Sequence, residues 1–577
     1  MTGAPAASSE SSRPVSLEAL ARPRFAIPLL LLLGGALFIV NLGGYPFYTK
    51  GEPREAVTVL DMVRGGGFIM PLRAGVEVPS KPPLMHWMAA LISIAAGRVN
   101  EWTVRMPSAL CAITAIIACY LYGRALFGES AGLLASLILA TSFQILQAGG
   151  GARVDMTLTL FIELTLFEFI AIAEGIRHRR IFMYIAAALA VLAKGPVGVV
   201  LPGLIGLVWI ALEGRWSLVG QLGLLWGVPL VIAIDGGWYA AASIVRGGAF
   251  VRKQIFAENL FRFFHSDEFH EGHAHPFYYL EGALAAGFLP WTLIAPPVVL
   301  EYIRRPLKNP RLRYLATWCV VVLVFYSFPR SKRGAYLLAL YPALALLFGV
   351  AIARASAASD RSRWIVGLSK GAGVVFVAAA AAGIAALVAL RVAPGVIADL
   401  MRAMGWTVAG LTEALQSYAA QREPIAIVML VLAGAAGAAL IVLRANGARM
   451  VGGIAVAVAA IVVAVNLVVV PAMAATLTLR NFAGSLDAMV GKSSVAYLDG
   501  LNYDIAFYTG RDIPVVRPGE AHGAEYLICA RSVYDAMPAR PRSHFTIALQ
   551  SRPTDLDGSG AIVLLRRIHS NAAPTGG

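Results

Sequence analysis

Charge is scarce in this sequence: Asp, Glu, Lys and Arg together make up 14% of 577 positions, against 58% hydrophobic residues. A soluble globule of that length cannot cover its surface with so little polar material, so the composition excludes one and reads as a membrane protein. Cysteine is scarcer still, at four. Cys111, Cys119 and Cys319 fall in apolar runs and Cys529 stands alone near the end, so neither a CxxC-type metal spacing nor a disulfide framework is evident, and the redox compartment stays open. Alternation of apolar and polar residues is missing from runs such as IPLLLLLGGALFIVNL, which disfavours a β-barrel. Acids are fewer than bases, and a net charge of +15 raises the question of nucleic acid. The basic residues, however, collect in short clusters at the ends of apolar runs, which is a topology signal, and no nucleic-acid partner is expected.

What is present is a series of apolar runs long enough to cross about 30 Å of hydrocarbon as helices. They fall near 26–43, 106–126, 131–148, 155–174, 181–193, 196–212, 221–243, 277–299, 313–328, 335–354, 368–390, 424–443 and 450–470, which makes thirteen. The run at 83–97 is short, follows Pro82-Pro83 and contains His86, so it reads as an interfacial helix rather than a crossing. Thirteen crossings put every basic cluster on one side: Arg13/Arg22/Arg24, Arg124, Arg177/Arg179/Arg180, Arg215, Arg304/Arg305/Lys308/Arg311, Arg354/Arg361/Arg363 and Arg444/Arg449. By the positive-inside rule that side is cytoplasmic. Residues 1–24, polar and without a cleavage site close after the first run, read as a disordered cytoplasmic tail. Residues 25–473 form the membrane domain, with outer segments 44–105 and 244–276. The stretch 474–577 loses long apolar runs and gains the strand-like pieces SSVAYLD, EYLICA and AIVLLRR between turns, which predicts a small α/β domain on the outer face. The fold class is therefore an all-α polytopic membrane protein with an α/β domain appended at its C-terminus.

Ionisable residues near membrane depth are costly and so are candidates for function. On the outer face they are Glu52, Arg54 and Glu55 in YTKGEPREA, then Arg73, Lys81, Arg153, Asp155 and Lys194. Arg252, Lys253, Glu258, Arg262, histidines 265, 270, 273 and 275, and Arg330, Lys332 and Arg333 follow. Any one of these is equally readable as a solvated loop charge, and the nearby aromatics as an interfacial belt. Asp155 and Lys194 stand apart, because each abuts a long apolar run with almost no loop to hold it in water; snorkelling or a structural ion pair is the plain alternative. The histidine-rich HSDEFHEGHAH raises a divalent metal, which its spacing does not support, and no cofactor is assigned. A basic cluster with carboxylates beside apolar walls suits a lipid ligand bearing phosphate: Arg and Lys neutralise phosphate, and a carboxylate can act as general base.

Nine motifs in order carry a family resemblance: GEPREA (51–56), GGGFIMPLRAGVEVPSKPPLMHW (65–87), NEWTVRMPSAL (100–110), LYGRALFG (121–128), ARVDM (152–156), LAKGPVGVVLP (192–202), ENLFRFFHSDEFHEGHAHPFYY (258–279), GFLPW (287–291) and RSKRGAYLLALYPALALL (330–347). The chain resembles the integral-membrane glycosyltransferases of the GT-C class, in the branch that contains the lipid A aminoarabinose transferases and bacterial relatives of protein O-mannosyltransferases. The resemblance runs from about 26 to 355 and weakens beyond. It implies the GT-C architecture and inverting transfer of one sugar from a polyprenyl (undecaprenyl) phosphate donor to an acceptor at the periplasmic face of the inner membrane.

The resemblance also implies site residues. Relatives carry an Asp-Glu pair where this chain has Gly51-Glu52, and Glu-Lys where it has Ser80-Lys81; Asp155, Lys194, Arg262, Lys332 and Tyr336 match. On that basis Glu52 is the first choice for the acidic residue at the reaction centre and Asp155 the second. Lys81, Lys194, Arg262, Lys332 and Tyr336 are expected at the donor phosphate or substrate, and Arg54 is expected to organise the loop or bind phosphate. The acceptor is expected to be lipid A, core oligosaccharide or another envelope glycan. Transfer to protein Ser or Thr with the same donor type stays open, as do a transporter or flippase and an inactive relative that binds lipid-linked sugar. The transporter reading suffers from charges gathered at one face and from the lack of an internal repeat.

Overall fold

The structure is a computed structural model that describes residues 17–49, 51–176, 179–254, 275–276, 278–304, 307–329, 331–357, 363–405, 408–443, 446–517, 523–552 and 560–568. Apolar sequence dictates helices here, since in hydrocarbon every backbone N–H must find its partner within the same segment. Among the described residues seven helices are long and apolar enough to cross a membrane, or up to nine if each of two bent pairs is one span. The chain is thus a multi-pass membrane protein with a small C-terminal sheet domain. The thirteen sequence runs include several that this measure does not admit, because their helices are short: Pro23–Phe38, Arg180–Lys194 and Val197–Glu213 have 16, 15 and 17 residues.

Two runs expected as straight crossings are broken. Helices Glu129–Ala140 and Phe143–Gly149 meet at 65°, and Tyr279–Gly287 meets Trp291–Arg304 at 101°. At the first break the Ser142 hydroxyl donates to Ile138 O at 2.8 Å in place of its N–H, which turns to Leu139 O, and the Thr141 hydroxyl adds a bond to Leu137 O at 2.6 Å. The run at 83–97 forms the helix Leu84–Ala95, twelve residues long, about 18 Å and too short to span. Residues 17–22, expected within the N-terminal tail, instead form a helical turn, Leu17–Leu20, with Ala21 buried and its carbonyl accepting the Tyr120 hydroxyl at 2.6 Å. The rest of the expected tail, 1–16, lies outside the described residues.

Helices Val154–Ala173 and Arg180–Lys194 form an antiparallel hairpin that decides where the site lies. Asp155 is in the first turn of one and Lys194 is the last residue of the other, so acid and base face each other across one end. Each sits where the helix macrodipole favours its sign. At the far end of the first helix Glu174 accepts from Arg311 at 2.7 Å and Arg215 at 3.0 Å. Between these ends, Trp209, Tyr314 and Trp318 are fully buried, and the Tyr314 hydroxyl and Trp318 indole donate to Leu166 O and Ala339 O, both at 2.7 Å.

The C-terminal domain holds a five-stranded sheet in the order β2-β1-β3-β5-β4, from β1 (Val495–Leu498), β2 (Val515–Val516), β3 (Tyr526–Ala530), β4 (Phe545–Gln550) and β5 (Ile562–Arg567). β1 pairs in parallel with β2 and β3, while β5 is antiparallel to β3 and β4. The three strand-like pieces of the sequence become β1, β3 and β5.

Candidate functional site

GEPREA forms the first turns of an amphipathic helix, Gly51–Asp61, with Glu52 and Glu55 buried. Glu52 is 2% exposed and is gripped by Arg105, itself fully buried in the first turn and a half of helix Glu101–Phe127. Arg105 Nε reaches Glu52 Oε1 at 2.7 Å and Nη2 reaches Oε2 at 3.2 Å. The remaining donors go to Leu42 O (2.9 Å), Tyr45 O (3.0 Å) and Pro46 O (3.2 Å), so all five guanidinium N–H groups are engaged. The guanidinium also lies 4.2 Å from the Tyr45 ring centroid. Glu52 Oε1 accepts the Ala152 N–H at 3.1 Å as well. One buried pair thus pins the loop after the first membrane helix to the segment that delivers Asp155. Burial alone pushes the Glu52 carboxyl up, but the Arg105 charge and hydrogen bonds outweigh it and hold the group below the usual carboxylate range.

Glu55 sits in a second buried cluster. Arg54 contacts its Oε1 at 2.8 Å, while His86 Nε2 and Arg73 Nη2 lie 2.7 and 3.4 Å from Oε2. Arg73 and His86 are 1% exposed. Here too burial pushes the carboxyl up, and Arg54 first, then Arg73 and the hydrogen bond with His86, bring it well below its ordinary value. Arg54 thus directs its guanidinium to Glu55. A group whose folded pKa is depressed adds stability above its unfolded pKa, about 4.3 for Glu, and loses it as pH falls through the folded value. The melting temperature is accordingly expected to be flat from pH 7 to about 5 and to fall steeply below about 4. Glu55→Gln should lower it at pH 7 and flatten the acid limb; a pH series of thermal melts reads both.

Asp155 and Lys194 make a direct ion pair through Oδ1 and Nζ, with side chains 18% and 16% exposed. Unlike the Glu52–Arg105 pair, it is not sealed from its surroundings. Arg153 and Lys81 add to the positive field at Asp155. Lys194 Nζ lies 4.9 Å from the Tyr336 ring centroid, and Tyr336 packs on Tyr326 with centroids 5.1 Å apart. Next to Tyr326, Phe325 helps to line an open apolar groove of about 480 Å³ between helices Val197–Glu213 and Pro310–Ser327, walled by Leu204, Val208, Val320, Val321, Val324 and Phe328, several of them exposed. Tyr326 of the ring pair and this groove thus share one helix.

Of the residues singled out from sequence, Asp155, Lys194, Tyr336 and Lys81 come together. Lys332 is 4% exposed and turns away to backbone, donating to Pro329 O at 2.7 Å and His275 O at 3.2 Å. Arg262 and histidines 265, 270 and 273 lie outside the described residues. Among the described residues no group of three or more His, Cys, Asp or Glu is placed to hold a metal. At Gly51 an added Cβ would meet no atom within 4 Å, so the position that differs from the resembled family opens on free space. Sequence reasoning did not single out Arg105 or the role of His86. Arg105 carried one signal, a lone cation at the head of an apolar run.

Comparison with known proteins bears on this arrangement. Residues 80–234 match the family model described as dolichyl-phosphate-mannose-protein mannosyltransferase. The undecaprenyl phosphate-α-4-amino-4-deoxy-L-arabinose arabinosyl transferase of Pseudomonas paraeruginosa is 28% identical over 331 residues, 56% of this chain and 59% of that protein. One of Pseudomonas fluorescens is 28% identical over 410 residues, 68% of this chain and 72% of that protein. The crystal structure of ArnT from Cupriavidus metallidurans bound to undecaprenyl phosphate superposes with a TM-score of 0.72, at 20% identity, over 96% of this chain and all of that one. The chain shares that fold. The apo ArnT structure from the same organism agrees, with a TM-score of 0.69 over 93% of this chain. The likeness extends through the C-terminal domain, well past the point near residue 355 where the sequence motifs weaken.

Proposed function

We propose that the protein is an inverting glycosyltransferase that moves one sugar from an undecaprenyl phosphate donor to an envelope acceptor of the lipid A type at the outer face of the inner membrane. The observation that carries this is the partly exposed Asp155–Lys194 pair, set in a positive field beside the Tyr336 and Tyr326 rings, with an open apolar groove on the helix that bears Tyr326. The relatives' shared donor, undecaprenyl phosphate, suits both halves of that arrangement, and their sugar, 4-amino-4-deoxy-L-arabinose, is the first candidate for transfer. Thirteen crossings are part of the same reading. Each sequence run corresponds to a helix or a bent pair of helices, and on this reading the basic pair that holds Glu174 marks the cytoplasmic end of helix Val154–Ala173.

In this mechanism the donor phosphate competes with Asp155 for Lys194, and Lys194, Lys81 and Arg262 stabilise the charge that grows on the phosphate as the sugar departs. Release from Lys194 leaves the Asp155 carboxylate beside the anomeric carbon, where positive charge develops. A phosphate acceptor is already ionised and needs no base, whereas a hydroxyl acceptor gives its proton to Asp155. Glu52 supports this from behind: its oxygens are occupied by Arg105 and the Ala152 N–H, and it fixes the backbone three residues before Asp155.

Mass spectrometry of envelope lipids and glycans from cells with and without the protein tests the assignment. Loss of a single sugar from one acceptor is expected and identifies the substrate. A sugar missing from protein Ser or Thr would move the acceptor to protein, and unchanged glycans with altered export of a small molecule would replace transfer by transport.

A further inference from the structure

Three segments distant in sequence meet at one carboxylate outside the site just described, and a fourth joins through Arg73. Arg73 and Glu77 close a tight turn by reciprocal backbone hydrogen bonds of 2.8 and 3.1 Å, with Ala74 and Gly75 at positive φ. The Glu77 side chain leaves this turn and receives the Tyr503 hydroxyl on Oε2 and the Lys253 ammonium on Oε1, both at 2.5 Å, with Arg73 Nη1 3.8 Å from Oε1. Arg73 in turn holds Thr58 Oγ1 at 3.0 Å and Glu55 on the Gly51–Asp61 helix. Tyr503 opens the C-terminal domain's helix Tyr503–Thr509, whose apolar face rests on the same region. There Phe507 meets Phe47 edge-on at 5.1 Å, and Ala506 is buried with Val57 and Ala74. Tyr508 accepts the Phe47 N–H at 2.9 Å and donates to Glu101 at 3.0 Å. Lys253 is the last charged residue before the stretch that carries Glu258 and Arg262.

The apolar contacts and Tyr508 suffice to dock the domain, and Glu77 is 30% exposed, so the burial that makes an acid indispensable to folding does not apply to it. What Glu77 adds is direction: the hydrogen bonds from Lys253 and Tyr503, with Arg73 at ion-pair distance, fix the angle between the domain and both outer segments. We propose that Glu77 is a positioning residue through which the C-terminal domain, by Tyr503, sets the Gly51–Asp61 helix and the Lys253 end of the second outer segment in register around the Asp155 site. The proposal rests on the transferase reading for its effect on rate, and on geometry alone for the register.

The test uses the full-length protein in lipid vesicles, with Tyr503→Phe, Lys253→Met, their double variant and Glu77→Gln. Each single change is expected to lower kcat for sugar transfer roughly tenfold, a misplacement short of the ~10²-fold cost of a 1 Å error, with the melting temperature unchanged. The double variant should lose no more than Glu77→Gln, because both bonds act through one carboxylate. Additive losses, an unchanged kcat, or losses that track melting temperature overturn the proposal. Amide hydrogen exchange gives an arm independent of chemistry: Tyr503→Phe should speed exchange at residues 73–77, and unchanged exchange there overturns the register outright. Wild-type protein that transfers no sugar removes the transferase reading alone, and the exchange result then decides the register by itself.

Discussion

Asp155→Asn is expected to lower kcat for sugar transfer by about 10³-fold or more while the protein stays folded, a loss on the scale of removing a charge-stabilising or proton-accepting group from a reaction centre. The substitution keeps the shape of the side chain and its ability to accept from Lys194, so the helix hairpin has no reason to open. What it removes is the negative charge. Without it Lys194 has lost its counter-ion, and the donor phosphate no longer competes with a carboxylate for the ammonium. KM for the donor should therefore fall while kcat collapses, a split that an unfolded or misassembled variant does not produce. Lys194→Met should act in the opposite sense on KM, raising it, since the phosphate then loses its partner. Steady-state kinetics on both variants, with the donor varied, read the two signs. Equal KM values for Asp155→Asn and wild type would show that the Asp155–Lys194 pair does not face the phosphate.

The second large effect is structural. Arg105→Ala leaves Glu52 buried and without its cation, and breaking a buried ion pair from one side costs about 3–5 kcal/mol. Three backbone carbonyls, of Leu42, Tyr45 and Pro46, lose their donors at the same time. The loop that leads into the Gly51–Asp61 helix should loosen, with a large drop in melting temperature. Arg105→Lys should not rescue it, because an ammonium has three donors for a site that uses five. Glu52→Gln on its own should cost less, and Glu52→Gln with Arg105→Met should recover part of the loss, since neither side is then left charged and alone. Thermal unfolding of the four variants measures this. A wild-type melting temperature for Arg105→Ala would show that the pair does not hold the outer face together.

How much of this the sequence carried depends on how local each feature is. Apolar runs become helices because hydrogen bonding in hydrocarbon is satisfied within the segment, so every run has a helical counterpart. Asp155 and Lys194 were legible because each lies at the very end of its run, and a short hairpin brings those ends together. The breaks at Thr141–Ser142 and after Gly287 were not, since nothing in an apolar run of that length marks a bend except a hydroxyl pair and the LPW triplet. Strands β4 and β2 were missed: FTIALQ carries only part of an alternation, and two residues at Val515–Val516 give no period at all. The ion pairs behind the site could not be read. Glu52 and Arg105 are separated by 53 positions, and Tyr503 and Glu77 by 426, and partner choice over such distances is set by how whole helices pack. For the same reason the inward turn of Lys332 to the carbonyls of Pro329 and His275 had no sequence signal.

The decisive measurement is transfer in a defined system: purified protein in vesicles, undecaprenyl phosphate carrying a labelled 4-amino-4-deoxy-L-arabinose, and lipid A as acceptor. Label should move to lipid A with wild-type protein and with Glu77→Gln at a reduced rate, and should stay on the donor with Asp155→Asn. Transfer by Asp155→Asn at the wild-type rate would contradict the site assignment, and no transfer by the wild type to lipid A or any other envelope glycan would contradict the function itself.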